Sequence, residues 1–144
     1  MKALTLTQPW ASHMALGHKR VETRSWTTGY RGLLAIHAAK GFPAWAREFA
    51  AEERAIGRLP AQLPVAAIVA VARLVAVRPT SEASLLVGPL ERHLGDYTDG
   101  RFGWFCEDIV ALRDPVGCRG ALGLWQLPLD IERAVLSQVV LSAR

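Results

Sequence analysis

Val65-Ala-Ala-Ile-Val-Ala-Val-Ala-Arg-Leu-Val-Ala-Val77 is a β-branched, almost uncharged run bounded by Pro64 and Pro79. A strand apolar on both faces is one covered on both faces, so this run is expected to be buried, bent and central in a sheet. On its N-terminal side, Pro43 opens a helix with Trp45, Phe49, Ala50, Glu53 and Ile56 at helical spacing, closed by Gly57 and Pro60. Before that lie an apolar strand over Gly32–Ala39, a turn over Gly29–Gly32 and a strand over Lys19–Trp26. Pro9 is placed as the first helical residue of Trp10–Leu16, with Gln8 or Thr7 as cap and Gly17 as stop. Ala3–Leu6 reads as a first short strand.

On the C-terminal side, Ser81–Leu94 is read as one helix broken near Gly88-Pro89, and Asp96–Gly100 as a mobile polar loop. Strands follow over Phe102–Leu112 and Ala121–Leu127, separated by a turn over Arg113–Gly117, and then a terminal helix over Ile131–Leu141, within about 129–143. The sum is an α+β fold of five to six strands and three to four helices with a curled sheet. At 144 residues the chain is long enough for one core and too short for two, so a single domain is expected over 1–144, its core in about 1–127.

Composition narrows the class. Hydrophobic residues at 51% and charged residues at 21% exclude disorder and coiled coil. The longest apolar stretch, Leu63–Ala72, is interrupted by Pro64 and falls short of the ~20 residues needed to cross a bilayer. Residues 1–18 lack the apolar core of a secretory signal, so a cytoplasmic location is expected. Cys106 and Cys118 form no CxxC pair and are read as free thiols of a reducing compartment. His13 and His18 have the wrong spacing for a helical metal pair, and neither a metal nor another cofactor is expected. The templates GxSxG, GxxxxGK[ST] and GxGxxG are missing. Oligomeric state is not legible.

The charge is unevenly spread. Lys2, Lys19, Arg20, Arg24, Arg31 and Lys40 stand against Glu22 alone in residues 1–40, while the remaining 104 residues carry a net charge of minus one. These cations are interleaved with Trp10, Trp26 and Tyr30, a mixture suited to holding phosphate and stacking a base. A solvated basic face over core tryptophans accounts for the same pattern. In Gly17-His-Lys-Arg-Val-Glu-Thr-Arg-Ser-Trp26, strand alternation puts Arg20, Glu22, Arg24 and Trp26 on one face, with Glu22 and Arg24 about 7 Å apart along the strand. Lys19 brings a second cation to Glu22. If this face lines a recess, the carboxylate is held ionised and a cation is left for a ligand. His37 shares a face with Leu33, Ala35 and Ala39 and is more readily a core histidine than a base. Arg101-Phe-Gly-Trp104 and Cys118–Trp125 are candidates for a second wall of a pocket.

Four blocks together resemble the activating signal cointegrator homology, or ASCH, domain family. They are Leu4-Thr-Leu-Thr-Gln-Pro-Trp-Ala11, Gly17-x-Lys19-x-x-Glu22-x-Arg24, Ala35-Ile-His-Ala38 and Arg119-Gly-x-x-Gly-Leu-Trp125. The resemblance covers residues 1 to about 127 and implies a small PUA-like mixed β-barrel with a cationic cleft that binds RNA or a nucleotide-like ligand. Carried onto this sequence, it implies Lys19, Glu22 and Arg24 as cleft residues, with Gln8, Trp10 and His37 as its walls; Trp10 or Trp26 is the expected stacking platform. It also implies a hydrolase alternative, since some small bacterial members deacetylate acetylcytidine with a lysine matching Lys19 and a threonine three residues later. Glu22 occupies that later position. A carboxylate does not replace a hydroxyl nucleophile in acyl transfer, so the alternative takes Glu22 as general base toward water, on a modified nucleoside or on RNA, and Lys19 as electrostatic stabiliser. A protein-interaction domain using the Trp45 helix is a third reading.

Overall fold

The computed structural model describes residues 1–142. Its elements in chain order are β1 (Lys2–Leu6), α1 (Trp10–Ala15), β2 (Val21–Arg24), β3 (Gly32–Ala38), α2 (Ala44–Ala55), β4 (Ala67–Pro79), α3 (Thr80–Ala83), α4 (Pro89–His93), β5 (Phe102–Gly117), β6 (Leu124–Gln126) and α5 (Leu129–Ser142). The strands form one sheet in the order β2-β5-β4-β3-β1-β6. Only β1 and β3 run parallel, with α1 and β2 between them in the chain; the other neighbours are antiparallel. The apolar run quoted first is β4, and it lies in the middle of the sheet as its composition requires.

Alternation assigns side chains to two cores. Leu4 and Leu6 of β1, Leu34 and Ile36 of β3 and Leu74 of β4 point inward with Met14 and Trp104. Ala3, Ala35, Ile68 and Val71 point outward and are covered by Val135 of α5 and by Leu127. The sheet curls because the β4–β5 ladder slips at three places and the β3–β4 ladder at one, each slip adding local twist. Asp108, at φ +50°, sits in one of these slips, a conformation that aspartate tolerates better than most residues. Curling brings β2, at one end of the order, back to β1: Arg24 Nη2 donates to the Thr5 carbonyl at 2.6 Å. The sheet is thus a curled half-barrel, and the seam between β1 and β2 is bridged by a side chain and not by a ladder.

Several boundaries differ from the sequence reading, the expected strand over Ala121–Leu127 among them, which is only Leu124–Gln126, and two have a reason visible in the packing. The expected turn at Arg113–Gly117 is strand, because β5 continues along β4 to Gly117. Pro115 is tolerated there since β2 pairs only with Phe102–Phe105, leaving the other side of β5 free of a ladder. Gln138 of α5 satisfies that free edge, accepting from Asp114 N at 3.0 Å and donating to Asp114 O at 2.7 Å. The strand expected over Lys19–Trp26 shrinks to Val21–Arg24; at its N-terminal end Glu91 takes the Arg20 amide that would have extended it. The 81–94 helix is two short turns, α3 and α4, the second opening at the expected Gly88-Pro89 break, so the helices among the described residues number five rather than three or four. Residue 143 of the expected terminal helix, like residue 144 of the expected domain, lies outside the described residues.

Candidate functional site

The seam between β1 and β2 opens into a cleft of about 470 Å³, lined among others by Thr5, Trp10, Glu22, Arg24, His93 and Arg101. Glu22 and Arg24 belong to the lining, and Lys19 lies behind them, outside it. Lys19 is fully buried; its ammonium donates to Val21 O at 2.6 Å and to Leu94 O at 2.9 Å, and forms an ion pair with Glu22 Oε1 at 3.3 Å. Glu22 Oε2 accepts from Arg24 Nε at 3.1 Å and lies 3.0 Å from Arg24 Nη2. Glu22 Oε1 also accepts from Thr23 N. The carboxylate is therefore fixed in position by two cations, which is what the strand alternation implies. Val21 and Thr23, on the opposite face, are buried as well.

The rims come from distant parts of the chain. Antiparallel pairing of Arg24 with Phe102 carries Arg101 to the cleft, where Nε donates to Asp96 O and Nη2 to Thr23 O. Asp96 also lines the cleft. Two arginines thus face two carboxylates in the lining, and the excess positive charge expected there resides in the buried Lys19 instead. On the opposite rim, α2 presents Trp45 and Phe49 one turn apart to Trp10, with ring centroids at 5.5 and 5.2 Å.

Behind that rim lies a polar cluster that sequence spacing does not bring together. Glu53, buried on the inner face of α2, receives both Arg58 Nε and Nη2 at 2.9 and 2.8 Å. His93 Nε2 is 3.2 Å from Glu53 Oε2, and since a carboxylate only accepts, this nitrogen carries the proton. His13 Nε2 is 3.1 Å from Glu53 Oε1, and His13 Nδ1 is 3.1 Å from His18 Nδ1. The hydrogen bond from Arg58 holds the Glu53 carboxyl down at about 2, and burial pushes His13 down to about 4. The one sequence signal was a glutamate in line with Ala46 and Ala50 on the buried face of α2.

The family model for the ASCH domain matches residues 4–109, about three quarters of the chain. The chain belongs to the ASCH domain family. The ASCH protein of Zymomonas mobilis has a similar fold, with a TM-score of 0.58 at 14% identity over 94% of this chain and 93% of that one. Two single-substitution variants of the same protein give the same score and identity, over 96% and 94% of their chains. Among curated proteins none matches the sequence.

Within this ASCH domain the remaining expected site residues are scattered. Gln8 is buried away from the cleft: its Nε2 donates to Ser12 Oγ and Pro64 O, and its Oε1 accepts from Ser12 N, capping α1. Trp26 lies beyond β2 and packs against the edge of Trp104, whose Nε1 donates to Trp26 O. Arg20 is exposed. His37 lies behind β1, outside the cleft. Its Nε2 donates to Cys118 O at 2.7 Å, and its Nδ1 accepts from Thr5 Oγ1, which in turn accepts from Trp125 Nε1. Burial pushes the His37 pKa below its ordinary value, consistent with a neutral ring whose two nitrogens are both used. Cys106 and Cys118 are free thiols. Among the described residues no group of three or more histidine, cysteine or acidic side chains is placed to hold a metal, and no helix is long and apolar enough to cross a membrane.

The His37 network explains Gly120. A Cβ there would stand 2.6 Å from His37 Cε1 and 2.9 Å from both His37 Nδ1 and Thr5 Oγ1, side chains that their hydrogen bonds prevent from yielding. Gly120→Ala is expected to destabilise the domain by about 1–3 kcal/mol in urea unfolding. A loss below about 0.5 kcal/mol would mean that the 118–123 loop shifts freely.

Proposed function

We propose that the seam cleft of this ASCH domain binds a nucleotide, free or within single-stranded RNA. What supports the reading is one juxtaposition: a half-buried indole, Trp10, in the same cleft as two arginines and a glutamate locked by Lys19 and Arg24. The indole offers a stacking face and the guanidiniums pair with phosphate. Glu22, which only accepts, recognises a base with an exocyclic amino group, as carboxylates do for cytosine. Uracil has no such donor.

The test is fluorescence anisotropy with labelled oligocytidylate and oligouridylate at two salt concentrations. Cytidine is expected to bind more tightly, binding to weaken with salt, and Trp10→Ala to weaken it about tenfold, within the range for loss of one base stack. Glu22→Gln should erase the preference for cytosine. No binding at low salt, or binding indifferent to Trp10→Ala and Arg101→Ala, overturns the proposal.

A hydrolytic reading, with Glu22 as base toward water, draws on the presence of that carboxylate in the cleft lining. Lys19 would act in it only through Glu22, because its ammonium is fully buried and outside the cleft lining. Product formed from acylated cytidine or RNA and lost in Glu22→Gln would establish this reading.

A further inference from the structure

Across β1 from the cleft lies a second hollow of about 580 Å³, lined by Lys40, Arg119, Cys118, Leu122 and the covered His37, with Thr5 on its border. Thr5 also borders the first cleft, so the C-terminal end of β1 is the ridge between the two. The hollows differ in charge. The cleft lining balances arginines with Glu22 and Asp96, whereas the second hollow has Lys40 and Arg119 and no acidic side chain. Both cations are exposed, and among the described residues neither enters an ion pair or a side-chain hydrogen bond. Leu122, 98% exposed, stands uncovered at the same hollow.

We infer that this hollow continues the cleft as a track for single-stranded RNA, with Lys40 and Arg119 holding the backbone of the nucleotide next to the one in the seam. The inference rests on the nucleotide reading of the cleft and names its substrate class: an oligonucleotide rather than a free nucleotide. Charge selects the occupant, since two unopposed cations attract a polyanion. Continuity selects RNA over an acidic peptide, because the neighbouring cleft offers an aromatic face and an acceptor for a base amino group, neither of which a run of carboxylates would use. Leu122 supplies apolar surface for a sugar or base face.

The experiment compares cytidine 5′-monophosphate with hexacytidylate on the intact protein and on the Lys40→Ala/Arg119→Ala double variant. These side chains are exposed and unpaired, so the fold is expected to be unaffected. Hexacytidylate affinity should fall roughly tenfold, and the slope of log affinity against log salt should flatten by roughly 1.4, which is two single-strand phosphate contacts. Monophosphate affinity should not change. A fluorophore on Leu122→Cys, with the two native cysteines replaced by serine, should respond to the hexamer and not to the monophosphate. An unchanged hexamer slope, a parallel loss for both ligands, or an oligoglutamate peptide competing as well as RNA overturns the track. Intact protein that binds the monophosphate but gains nothing from the hexamer overturns the track alone. Intact protein that binds neither overturns the cleft reading with it.

Discussion

Lys19→Met is expected to lower unfolding stability by about 3–5 kcal/mol, a large fraction of the roughly 5–15 kcal/mol typical of a domain. Lys19 is fully buried, and its ammonium is the shared donor for the Val21 and Leu94 carbonyls and the partner of Glu22 Oε1. Methionine fills most of the volume but donates nothing, so two carbonyls lose a partner and Glu22 keeps only Arg24 and the Thr23 amide. The Leu94 bond has a further effect: it ties the segment after α4 to β2, and with it the Gly95–Asp96 rim of the cleft. Urea unfolding measures the loss. A change below about 1 kcal/mol would show that water reaches these carbonyls and that the lysine is not buried in solution. Because the lysine holds the rim as well as the acid, loss of ligand binding in a Lys19 variant does not identify a ligand contact, and Trp10 and Arg101 are the cleaner probes.

Acid should destabilise the domain in two overlapping steps that begin well above the usual carboxylate range. His13 is held neutral, its pKa pushed down from 6.5 to about 4, so the unfolded chain takes up that proton first and stability falls as the pH drops from 6.5 toward 4. Glu53 is held ionised, its pKa lowered from 4.5 to about 2, and the same sign applies: its contribution is complete above 4.5 and is lost on the way to 2. For the carboxylate alone the loss is about 3 kcal/mol. Thermal midpoints at pH 7, 5 and 3.5 should therefore fall steadily. In Glu53→Gln the pH 7 value should already be low, because Arg58 and His93 lose their acceptor, and the further loss between pH 5 and 3.5 should be smaller. A midpoint flat between pH 7 and 4 would contradict the burial of His13 beside Glu53.

Much of the fold was legible in local pattern. β4 announced itself by an apolar run too long for an exposed strand, β1 by its alternation and β3 by its apolar character, and both β1 and β3 share their side chains between the two cores. Asp114-Pro-Val-Gly117 misled because turn chemistry and strand are told apart here by whether a neighbour needs the proline's missing donor, and only the sheet order answers that. The site divides the same way. Glu22, Arg24 and Lys19 lie within six residues, so their meeting follows from strand geometry, although the burial of Lys19 depends on the distant Leu94 carbonyl. Arg101, Asp96 and His93 enter the cleft through the β2–β5 register and the α4 segment, contacts some seventy residues apart in sequence. Glu53 joins His13 and His93 from forty residues away on each side, a distance at which spacing carries no information.

The seam has a consequence for adaptability. Where most of the sheet is zipped by peptide groups that every sequence possesses, β1 and β2 are fastened by Arg24 reaching one carbonyl. A nucleotide bound there as proposed would compete with a few replaceable side groups and leave the ladders intact. The residues at that junction can therefore be exchanged for others without rebuilding the scaffold that presents them.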